Sequence, residues 1–452
     1  MPYDAAHPSA VRPPVRAPGA LPLLGHFPQL ARDPLRFLGS LPAHGDLVEV
    51  RAPFQRVYVL CHPALAQQAL TDGRTFDRTG PVFDRVRAEM GNGLATCSHA
   101  AHRRQRLMVQ PAFRRERLGR YAEVMREEIP VLMRGWRPGQ VVDMVDAMFT
   151  LTTSVAVRTL FSSRVDARTT AGLRECLDTF LRGVYRRNLL PFTTVLPTPA
   201  NRRYTRALDR WRLYVRRIVD EARRTQGTGP DDLLSWLLAA RDETDTGLSE
   251  QELHDQIAVL VLAGAETTSG ALAWAWHLLA AHPGAEARLH AEVDAELRGG
   301  SAGLEDLPRL AHTARVVKET LRLYPPAWII PRTVTRETAL AGRALSAGAL
   351  LLFSPYVLHR RADAFPEPHR FLPERWQPEA ADRPAALRTA FLPFGAGPTK
   401  CVGESFALTE ACLAVASIAA RWRPRPVPGV TVRPAPRTVL APETLPMRLD
   451  AR

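Results

Sequence analysis

Apolar residues recur every three to four positions along most of this 452-residue chain, which is the spacing of helices that bury one face. The pattern alternates from 47 to 61, where it predicts a two-strand hairpin around Ala52-Pro53. Residues 78–98 contain Gly80-Pro81 and Gly91-Asn92-Gly93, and we expect mainly an irregular loop there. The predicted helices cover 63–71, 99–110, 114–134, 141–162, 167–186, 201–226, 231–241, 249–281, 284–298, 309–324 and 403–420, and later strands cover 328–335, 337–341 and 350–353. The fold is therefore predicted to be mainly α with a minor β portion, an α+β layout.

Composition narrows the class of protein. The formal net charge of +14 comes almost entirely from arginine, since Lys318 and Lys400 are the only lysines. There is no recognised nucleic-acid motif and no basic block interleaved with aromatic residues, so the expected partner is an acidic protein and not a nucleic acid. The chain has no run of eighteen apolar residues and no signal-peptide pattern. Together with five scattered cysteines, this predicts a cytoplasmic protein without a membrane partner.

Proline is spread through the chain and is dense only from Pro8 to Pro22. We expect residues 1–18 to form a flexible arm. Because no break in composition divides the remainder, residues 19–452 are expected to form one large domain.

One cysteine stands in a segment that packing alone does not explain. Cys401 follows Phe394 and Gly395 in a loop with a second glycine and a proline, and Gly403 leads into an apolar helix pattern. Glycines allow a flat partner to approach the backbone, and the positive end of the next helix favours a thiolate. These are the requirements of a cysteine that ligates haem iron. The alternative is a buried structural thiol at a loop–helix junction.

The longest predicted helix carries a second candidate site at its middle. Glu266 and Thr267 stand among apolar residues, where a carboxylate is costly unless it has partners. Gly264 costs about 1 kcal/mol relative to alanine in a helix. Thr267 can return a hydrogen bond to a carbonyl, and an acid beside a hydroxyl can deliver protons to a bound oxygen species. The alternative is a glutamate on a solvent-facing helix surface.

Several charged residues complete the pattern, although each alone has an ordinary surface pair as its alternative. Glu319 and Arg322 are placed on one helix face, and Arg375 could complete a network with them. His102 and Arg106 also lie one turn apart and could hold a carboxylate. Arg332, which follows Pro331, is a further candidate.

The order of these elements, from His102 through the acid–threonine helix to Cys401, resembles the cytochrome P450 family of haem-thiolate monooxygenases from about Gly19 to the end of the chain. The resemblance implies haem b between the long central helix and the C-terminal helix, with Cys401 as the iron ligand. It implies catalytic roles in proton delivery for Glu266 and Thr267 and a structural lock of Glu319, Arg322 and Arg375. The implied cofactor-binding residues are His102, Arg106, Arg332, Phe394, Gly395, Cys401 and Gly403.

One residue departs from the family pattern. Thr399 occupies the position two residues before the cysteine, where arginine or histidine usually contacts a haem propionate. Neither Thr399 nor the adjacent Lys400 offers a bidentate fork, so we expect one propionate contact to be missing.

The resemblance also implies a substrate pocket and redox partners. The segments 91–96, 102–106 and 196–203 resemble bacterial terpene-oxidising members, which predicts oxidation of a cyclic sesquiterpene-like molecule in natural-product biosynthesis. Fatty acids and macrolides are the alternative substrates, and a peroxide-driven enzyme, an isomerase, a dehydratase or a haem sensor are the alternative classes. The expected apolar pocket residues are Phe83, Met90, Val259, Leu262, Ala263, Trp328, Ile329 and Ile330.

No flavin or iron–sulfur segment is evident in the sequence, so electrons are expected to pass from NAD(P)H through an external reductase and an acidic ferredoxin to a monomeric enzyme. Arginines near the predicted haem-binding elements, with one lysine, could supply a basic docking face; the alternative is that they only reflect composition. This set is Arg103, Arg104, Arg114, Arg115 and Lys400.

Overall fold

The computed structural model describes residues 14–52, 55–162, 165–189, 197–225, 232–377 and 385–452. Sixteen α-helices are found within them. They are α1 Phe27–Arg32, α2 Pro34–Ser40, α3 Pro63–Thr71, α4 Gly80–Met90, α5 His99–Val109, α6 Arg115–Met133, α7 Met144–Phe161, α8 Ala167–Leu189, α9 Pro199–Arg224, α10 Leu233–Ala239, α11 Glu250–Ala281, α12 Pro283–Leu297, α13 Ala311–Leu323, α14 Pro355–Leu358, α15 Ala385–Ala390 and α16 Glu404–Ala419. The mainly α fold with a minor β portion is therefore confirmed.

Short strands make up the β portion of the described residues. They are β1 Val15–Arg16, β2 Leu47–Ala52, β3 Gln55–Leu60, β4 Phe76–Asp77, β5 Val141–Asp143, β6 Ile330–Val334, β7 Thr338–Leu340, β8 Arg343–Leu345, β9 Leu350–Phe353, β10 Trp422–Pro426, β11 Pro434–Pro436, β12 Leu440–Pro442 and β13 Pro446–Ala451. The predicted hairpin is confirmed, since β2 and β3 pair antiparallel from Leu47 opposite Leu60 to Ala52 opposite Gln55.

Two predictions of local structure are wrong. Residues 80–90 of the expected loop form α4 instead. Pro81 does not prevent this helix, because it lies in the first turn, where the backbone N–H that proline lacks would have no partner within the helix. The expected helix over 141–162 begins only at Met144, since Val141–Asp143 pairs with β13 as an edge strand. Asp143 then caps α7 by accepting a hydrogen bond from the Val145 amide. Of the residues 1–18 expected to form a flexible arm, residues 1–13 lie outside the described residues, whereas Val15 and Arg16 form β1, which pairs parallel with β2. Also outside the described residues are position 53 of the predicted hairpin, position 196 of the segment 196–203 and positions 226 and 231 of two predicted helices.

The chain divides into two compact units. The first comprises the described residues up to Asp84, Ala327–Arg370 and residues 385–401. Its centre is a six-stranded sheet in the order β1-β2-β3-β9-β6-β4. Apolar side chains of this sheet and of α3 form one buried cluster, which includes Tyr58, Leu70 and Phe353. The sheet and α3 thus provide the support for the cysteine loop.

The second unit comprises the described residues of Arg85–Pro326, residues 371–377 and Val402–Arg452. Helix α11 is its longest element, and a capping box of Ser249 and Glu252 fixes its start. Helices α7 and α11 are long and apolar enough to cross a membrane by length and composition, but 67% of each apolar window is buried inside the protein. They therefore have the character of core helices. The expectation of a single domain from residue 19 stays a prediction.

Candidate active site

The loop that ends at Cys401 presents an exposed thiol, whereas the other four cysteines of the chain are buried. The Cys401 amide donates to the Phe394 carbonyl oxygen at 2.9 Å and closes the loop. Gly395 and Gly397 have φ values of +70° and +65°, which side chains rarely adopt. A Cβ on Gly397 would lie 2.8 Å from the Leu70 oxygen, so this glycine lets the loop rest directly on α3. The sulfur is thereby held outward, as a ligand for a planar group requires.

Two buried arginines of the first unit fit an anionic ligand. Arg332 and Arg78 are each 7% exposed. Burial, with a contribution from the charge of Arg78, lowers the pKa of Arg332 to about 9, and Asp77 offsets this only in part. The Arg332 guanidinium donates to the Pro331 oxygen at 2.8 Å and to Thr399 Oγ1 at 3.2 Å. Both acceptors are neutral, so the buried positive charge would be stabilised by carboxylates such as those of haem.

Thr399 therefore has a role that the sequence did not reveal. Its hydroxyl accepts a hydrogen bond from Arg332, the residue expected to contact a propionate. Thr399 therefore orients Arg332, whereas an arginine at position 399 would add a second cation. Arg78 was not predicted from the sequence. It directly follows β4, and β4 pairs with β6, the strand that contains Arg332, so the pairing of these two strands is the signal that relates the two arginines.

The middle of α11 carries additional hydrogen bonds to its backbone. Three hydroxyl groups donate to carbonyl oxygens within four residues of one another, which weakens the regular helical ladder at this point. They are Thr267 Oγ1 to the Ala263 oxygen at 2.6 Å, Thr152 Oγ1 of α7 to the Ala265 oxygen at 2.7 Å, and Ser269 Oγ to the Glu266 oxygen at 2.9 Å. The bond predicted for Thr267 is confirmed. A Cβ on Gly264 would lie 3.6 Å from Ala156 Cβ, an ordinary contact, so close approach of a ligand at Gly264 stays a prediction.

Two carboxyl groups with raised pKa values lie in this part of the second unit, the half-buried Glu266 and the buried Glu410. Burial raises the pKa of Glu266 to about 8, so the group is largely protonated at neutral pH. Glu410 of α16 is 1% exposed, and burial raises its pKa well above the usual range, while a contact with the Thr268 side chain offsets only part of that cost. Glu410 was not predicted, because its place in an apolar helix gives no signal beyond one polar residue. Both groups can hold a proton close to neutral pH.

The predicted lock is formed in full within the second unit. Glu319 and Arg322 are both completely buried, and Arg375 is nearly so. The Arg322 guanidinium makes a bidentate pair with Glu319 at 2.9 and 2.8 Å. Arg375 Nε donates at 3.4 Å, the Leu372 amide at 3.0 Å and Trp376 Nε1 at 2.9 Å. Five donors therefore converge on one carboxylate, which joins α13 to the short 3₁₀ turn at Pro373–Trp376.

His102 and Arg106 lie one turn apart on α5, as predicted. His102 is buried, and Arg106 Nε donates to Gln110 Oε1 at 3.0 Å. Gly403 stands immediately before α16 and its carbonyl oxygen accepts from the Ala407 amide. Contacts of these residues with haem stay predictions.

Comparison with known proteins settles the family. Residues 15–448 match the family described as Cytochrome P450. This chain is a cytochrome P450. It is thus a haem-dependent oxidoreductase of the monooxygenase type, and haem with a cysteine thiolate ligand belongs to that family. The exposed Cys401 thiol and the buried Arg332 fit such a group, as the family requires.

Three relatives of this cytochrome cover nearly all of it. Cyclooctatin synthase of Streptomyces melanosporofaciens is 47% identical over 94% of this chain and 93% of its own length. Cyclooctat-9-en-7-ol 5-monooxygenase of the same organism is 46% identical, over 92% and 90%. Pentalenene oxygenase of Streptomyces avermitilis is 43% identical, over 96% and 97%. The crystal structure of the cytochrome P450DA heme domain superposes with a TM-score of 0.88 at 26% identity and covers 98% of both chains.

The second unit contains a cavity of about 310 Å³. Of the predicted pocket residues, Met90 and Leu262 line it, whereas Val259 and Ala263 do not. Phe180 of α8 and Trp211 and Val215 of α9 form walls that the sequence did not predict. The volume lies at the lower end of the usual range for ligand pockets. The remaining predicted residues, Phe83, Trp328, Ile329 and Ile330, belong to the first unit, and their role as pocket residues stays a prediction.

The loop beside this cavity is fixed to α11 by side chains. Asp255 Oδ2 accepts from the Asn92 amide at 2.8 Å, and Gln256 Oε1 accepts from the Leu94 amide at 3.1 Å. Gln105 Nε2 of α5 donates to the Asn92 oxygen at 2.9 Å. A Cβ on Gly93 would lie 2.8 Å from the Asp255 oxygen. The loop can therefore take this close position only with glycine at 93.

Helix α4 forms another wall and is fixed by a polar cluster. Phe83 is its only residue identified as buried. Near its end, Glu89 accepts from Arg187 Nε of α8 at 3.0 Å and from the Tyr204 hydroxyl of α9. The Arg187 guanidinium lies 4.4 Å from the centre of the Tyr204 ring. Glu89 lines the cavity, so this cluster fixes one residue of the cavity wall.

The expected docking arginines differ in how far their charges are neutralised. Arg104 binds both Asp242, at 2.6 Å, and Glu252, and Arg103 pairs with Glu243 at 2.8 Å. Their charges are therefore offset within the protein. Arg114 and Arg115 are exposed at the start of α6, and Lys400 is exposed in the first unit. Of the four arginines expected to dock ferredoxin, all of which belong to the second unit, Arg114 and Arg115 are the better candidates.

Proposed function

We propose that this cytochrome P450 inserts one oxygen atom from O₂ into a C–H bond of a cyclic terpenoid during natural-product biosynthesis. The observation that carries oxygen activation is the pair formed by Glu266, whose pKa is raised to about 8, and Thr267, whose hydroxyl bonds to a helix carbonyl. A peroxide-driven enzyme or a haem sensor has no need of such a proton donor. The three relatives, which are named for oxygenated terpenoid chemistry, support the substrate class.

The roles of the chain's own residues follow from their surroundings. When bound, haem supplies oxygen activation, and Cys401 is the ligand that the exposed loop offers to its iron. Arg332, which donates to the Thr399 hydroxyl, would neutralise a carboxylate of that group. Glu266 holds a proton at its carboxyl group, and the Thr267 hydroxyl passes it on. Glu410, whose side chain contacts Thr268, stays protonated because burial raises its pKa.

The cavity accounts for substrate binding. Phe180, Trp211 and Leu262 would contact the apolar ring system, in a cavity that polar side chains such as Arg212, Gln251 and Asp255 also line. Electrons come from NAD(P)H through a reductase and an acidic ferredoxin, which docks on Arg114 and Arg115. The enzyme acts as a cytoplasmic monomer.

The test of the reaction uses purified enzyme with a surrogate ferredoxin, its reductase, NADPH and ¹⁸O₂. A panel of cyclic terpenes, fatty acids and macrolides is supplied, and products are identified by mass spectrometry. We expect one labelled oxygen in a terpenoid product. Turnover of fatty acids alone would refute the substrate class, and equal turnover with peroxide in place of NADPH and O₂ would refute the oxygen chemistry.

The proton relay is tested by Thr267→Ala. Loss of the hydroxyl should lower the product formed per NADPH severalfold and raise the release of hydrogen peroxide. Thr170→Ala is the matched control, because Thr170 makes the same kind of bond to the carbonyl four residues earlier, on the exposed start of α8. Equal coupling in the two variants would contradict the relay.

Docking is tested by reversing Arg114 and Arg115 to Glu. The rate of reduction by ferredoxin should fall about tenfold at low salt, and the difference should shrink at high salt. Arg202 and Arg203 reversed to Glu are the control, since they are exposed on α9. If both double variants are reduced at the wild-type rate, ferredoxin does not use Arg114 and Arg115.

A further inference from the structure

Two buried arginines stand opposite each other in the sheet of the first unit. Strands β4 and β6 pair antiparallel, with Asp77 opposite Thr333. Continued by one residue, this register places Arg78 opposite Arg332 on one face of the sheet. Each of the two arginines is only 7% exposed. Like charges that lie opposite each other destabilise a sheet, and burial increases this cost because less water screens them.

The protein offsets the charge of Arg332 only in part. On the other side of β6, Arg332 lies opposite Leu351 of β9, which is apolar and buried. Its guanidinium donates to two neutral oxygens, one of which is Thr399 Oγ1. Burial and the charge of Arg78 lower the pKa of Arg332, and the opposing effect of Asp77 is smaller. The Arg332 charge is therefore incompletely compensated beside a second cation.

The segment that carries Arg78 is fastened to β6 and to the residue that follows it. Thr333 Oγ1 donates to the Thr79 oxygen at 2.6 Å, and Thr335 Oγ1 donates to the Arg74 oxygen at 2.8 Å. These bonds lie on both sides of Arg78 in the chain, so they hold the two arginines together despite their repulsion. Proteins retain such local costs mainly at functional sites.

The arginine pair is joined to the cysteine loop. Arg332 Nη2 donates to Thr399 Oγ1 at 3.2 Å, and Thr399 stands two residues before Cys401 in the same unit. Haem b, the group that a cysteine thiolate holds in this family, carries two propionate carboxylates. These match the two arginines in number and in sign. The arginine or histidine usual at position 399 is absent from this chain, so one cation is required from elsewhere.

We infer that Arg78 is a second propionate-binding residue of this cytochrome, and that it supplies from the sheet the cation that position 399 does not supply from the cysteine loop. The two arginines together neutralise the propionates, and the propionates relieve the repulsion between the arginines. Arg78 thus determines how firmly haem is held. The inference rests on haem binding, which belongs to the family, and is independent of the proposed terpenoid oxidation.

The test measures the transfer of haem from the ferric enzyme to apomyoglobin. Arg78→Met keeps a long side chain and loses the charge, and we expect it to release haem about tenfold faster than the wild type. Arg78→Lys, which keeps a cation without the planar fork, should give an intermediate rate. The matched control is Arg336→Met, because Arg336 is exposed and donates to the neutral Thr75 Oγ1 at 3.2 Å. It should release haem at the wild-type rate.

A second comparison separates contact with the carboxylates from a structural role of Arg78. The wild type and Arg78→Met are each reconstituted with haem dimethyl ester, whose esterified propionates carry no charge. The two proteins should release the ester at about the same rate, because the interaction that the substitution removes is no longer present. A difference that persists with the ester would overturn the inference, as would equal rates of release with ordinary haem.

The combination of Arg78→Met with Thr399→Arg tests whether the two positions supply the same cation. We expect the added arginine to slow haem release severalfold relative to Arg78→Met alone. The absorption spectrum of the carbon monoxide complex reports the folding of each variant. If Thr399→Arg does not slow release in this background, Arg78 does not replace the missing residue at position 399, and the inference fails.

Discussion

The lock around Glu319 allows a quantitative prediction for Glu319→Gln. The carboxylate receives five hydrogen bonds, from Arg322 twice and from Arg375, Leu372 and Trp376. A glutamine offers one acceptor oxygen, and its amide nitrogen would face donors on the other side. The substitution also removes the negative charge that pairs with the completely buried Arg322 guanidinium.

The magnitude follows from this burial. Breaking a buried ion pair by removing one partner costs about 3–5 kcal/mol, since the remaining charge is left uncompensated. The chain offers a control with the same three-residue spacing, the pair of Glu123 and Arg126 at 2.7 Å. Both of those side chains are about half exposed, so Glu123→Gln should cost about 0–1 kcal/mol.

The assay is urea denaturation of the haem-loaded enzyme followed by far-ultraviolet circular dichroism. The unfolding midpoint of Glu319→Gln should fall by about 0.5–1 M, and that of Glu123→Gln should stay close to the wild type. The double variant with Arg322→Met should recover part of the loss, because it removes the uncompensated charge. A midpoint for Glu319→Gln within the error of the Glu123 control would refute the view that this network stabilises the second unit.

Three further substitutions test other features. Glu266→Gln should equal the wild type in stability near pH 4.5 and become progressively more stable than it as pH rises towards 8, because an unfolded glutamate ionises above about 4.5 whereas folded Glu266, with its pKa raised to about 8, stays protonated; thermal melts from pH 5 to 9 measure this, and a constant difference would contradict the raised pKa. Thr399→Arg should slow the transfer of haem to apomyoglobin severalfold, since it adds a cation beside Arg332, and an unchanged rate would show that position 399 does not contact the propionates. Gly93→Ala should weaken terpenoid binding about tenfold by displacing the loop from Val259, where its Cβ would lie 2.8 Å from Cγ2, while Gly135→Ala, which has open space around it, serves as the control.

The sequence predicts most helices of this protein because their periodicity is strong and their ends carry signals. Ser249 and Glu252 form the capping box that marks the start of α11, and the alternation of apolar and polar residues predicts the β2–β3 hairpin. Helix α4 was missed because Gly80-Pro81 reads as a break, although proline is well tolerated in a first turn. Local signals identify where a helix can start more reliably than whether it continues.

The candidate site was predictable where chemistry is concentrated in a short segment. Cys401, the Glu266–Thr267 pair and the residues of the lock are unusual within their own neighbourhoods. The cavity walls from Phe180, Trp211 and Val215 were not predictable, because ordinary apolar residues of amphipathic helices become walls only through the packing of α8 and α9. The same holds for Arg332 and Thr399, whose hydrogen bond joins residues 67 positions apart.

The weak packing of α4 has a consequence for how such enzymes diversify. The end of α4 that lines the cavity is held by the cluster of Glu89, Arg187 and Tyr204, whereas α11, to which we assign the oxygen chemistry, starts at a capping box of its own. Substitutions along α4 can therefore reshape the substrate-binding surface with little penalty to the catalytic scaffold. Directed evolution toward new ring systems is best concentrated in this eleven-residue segment.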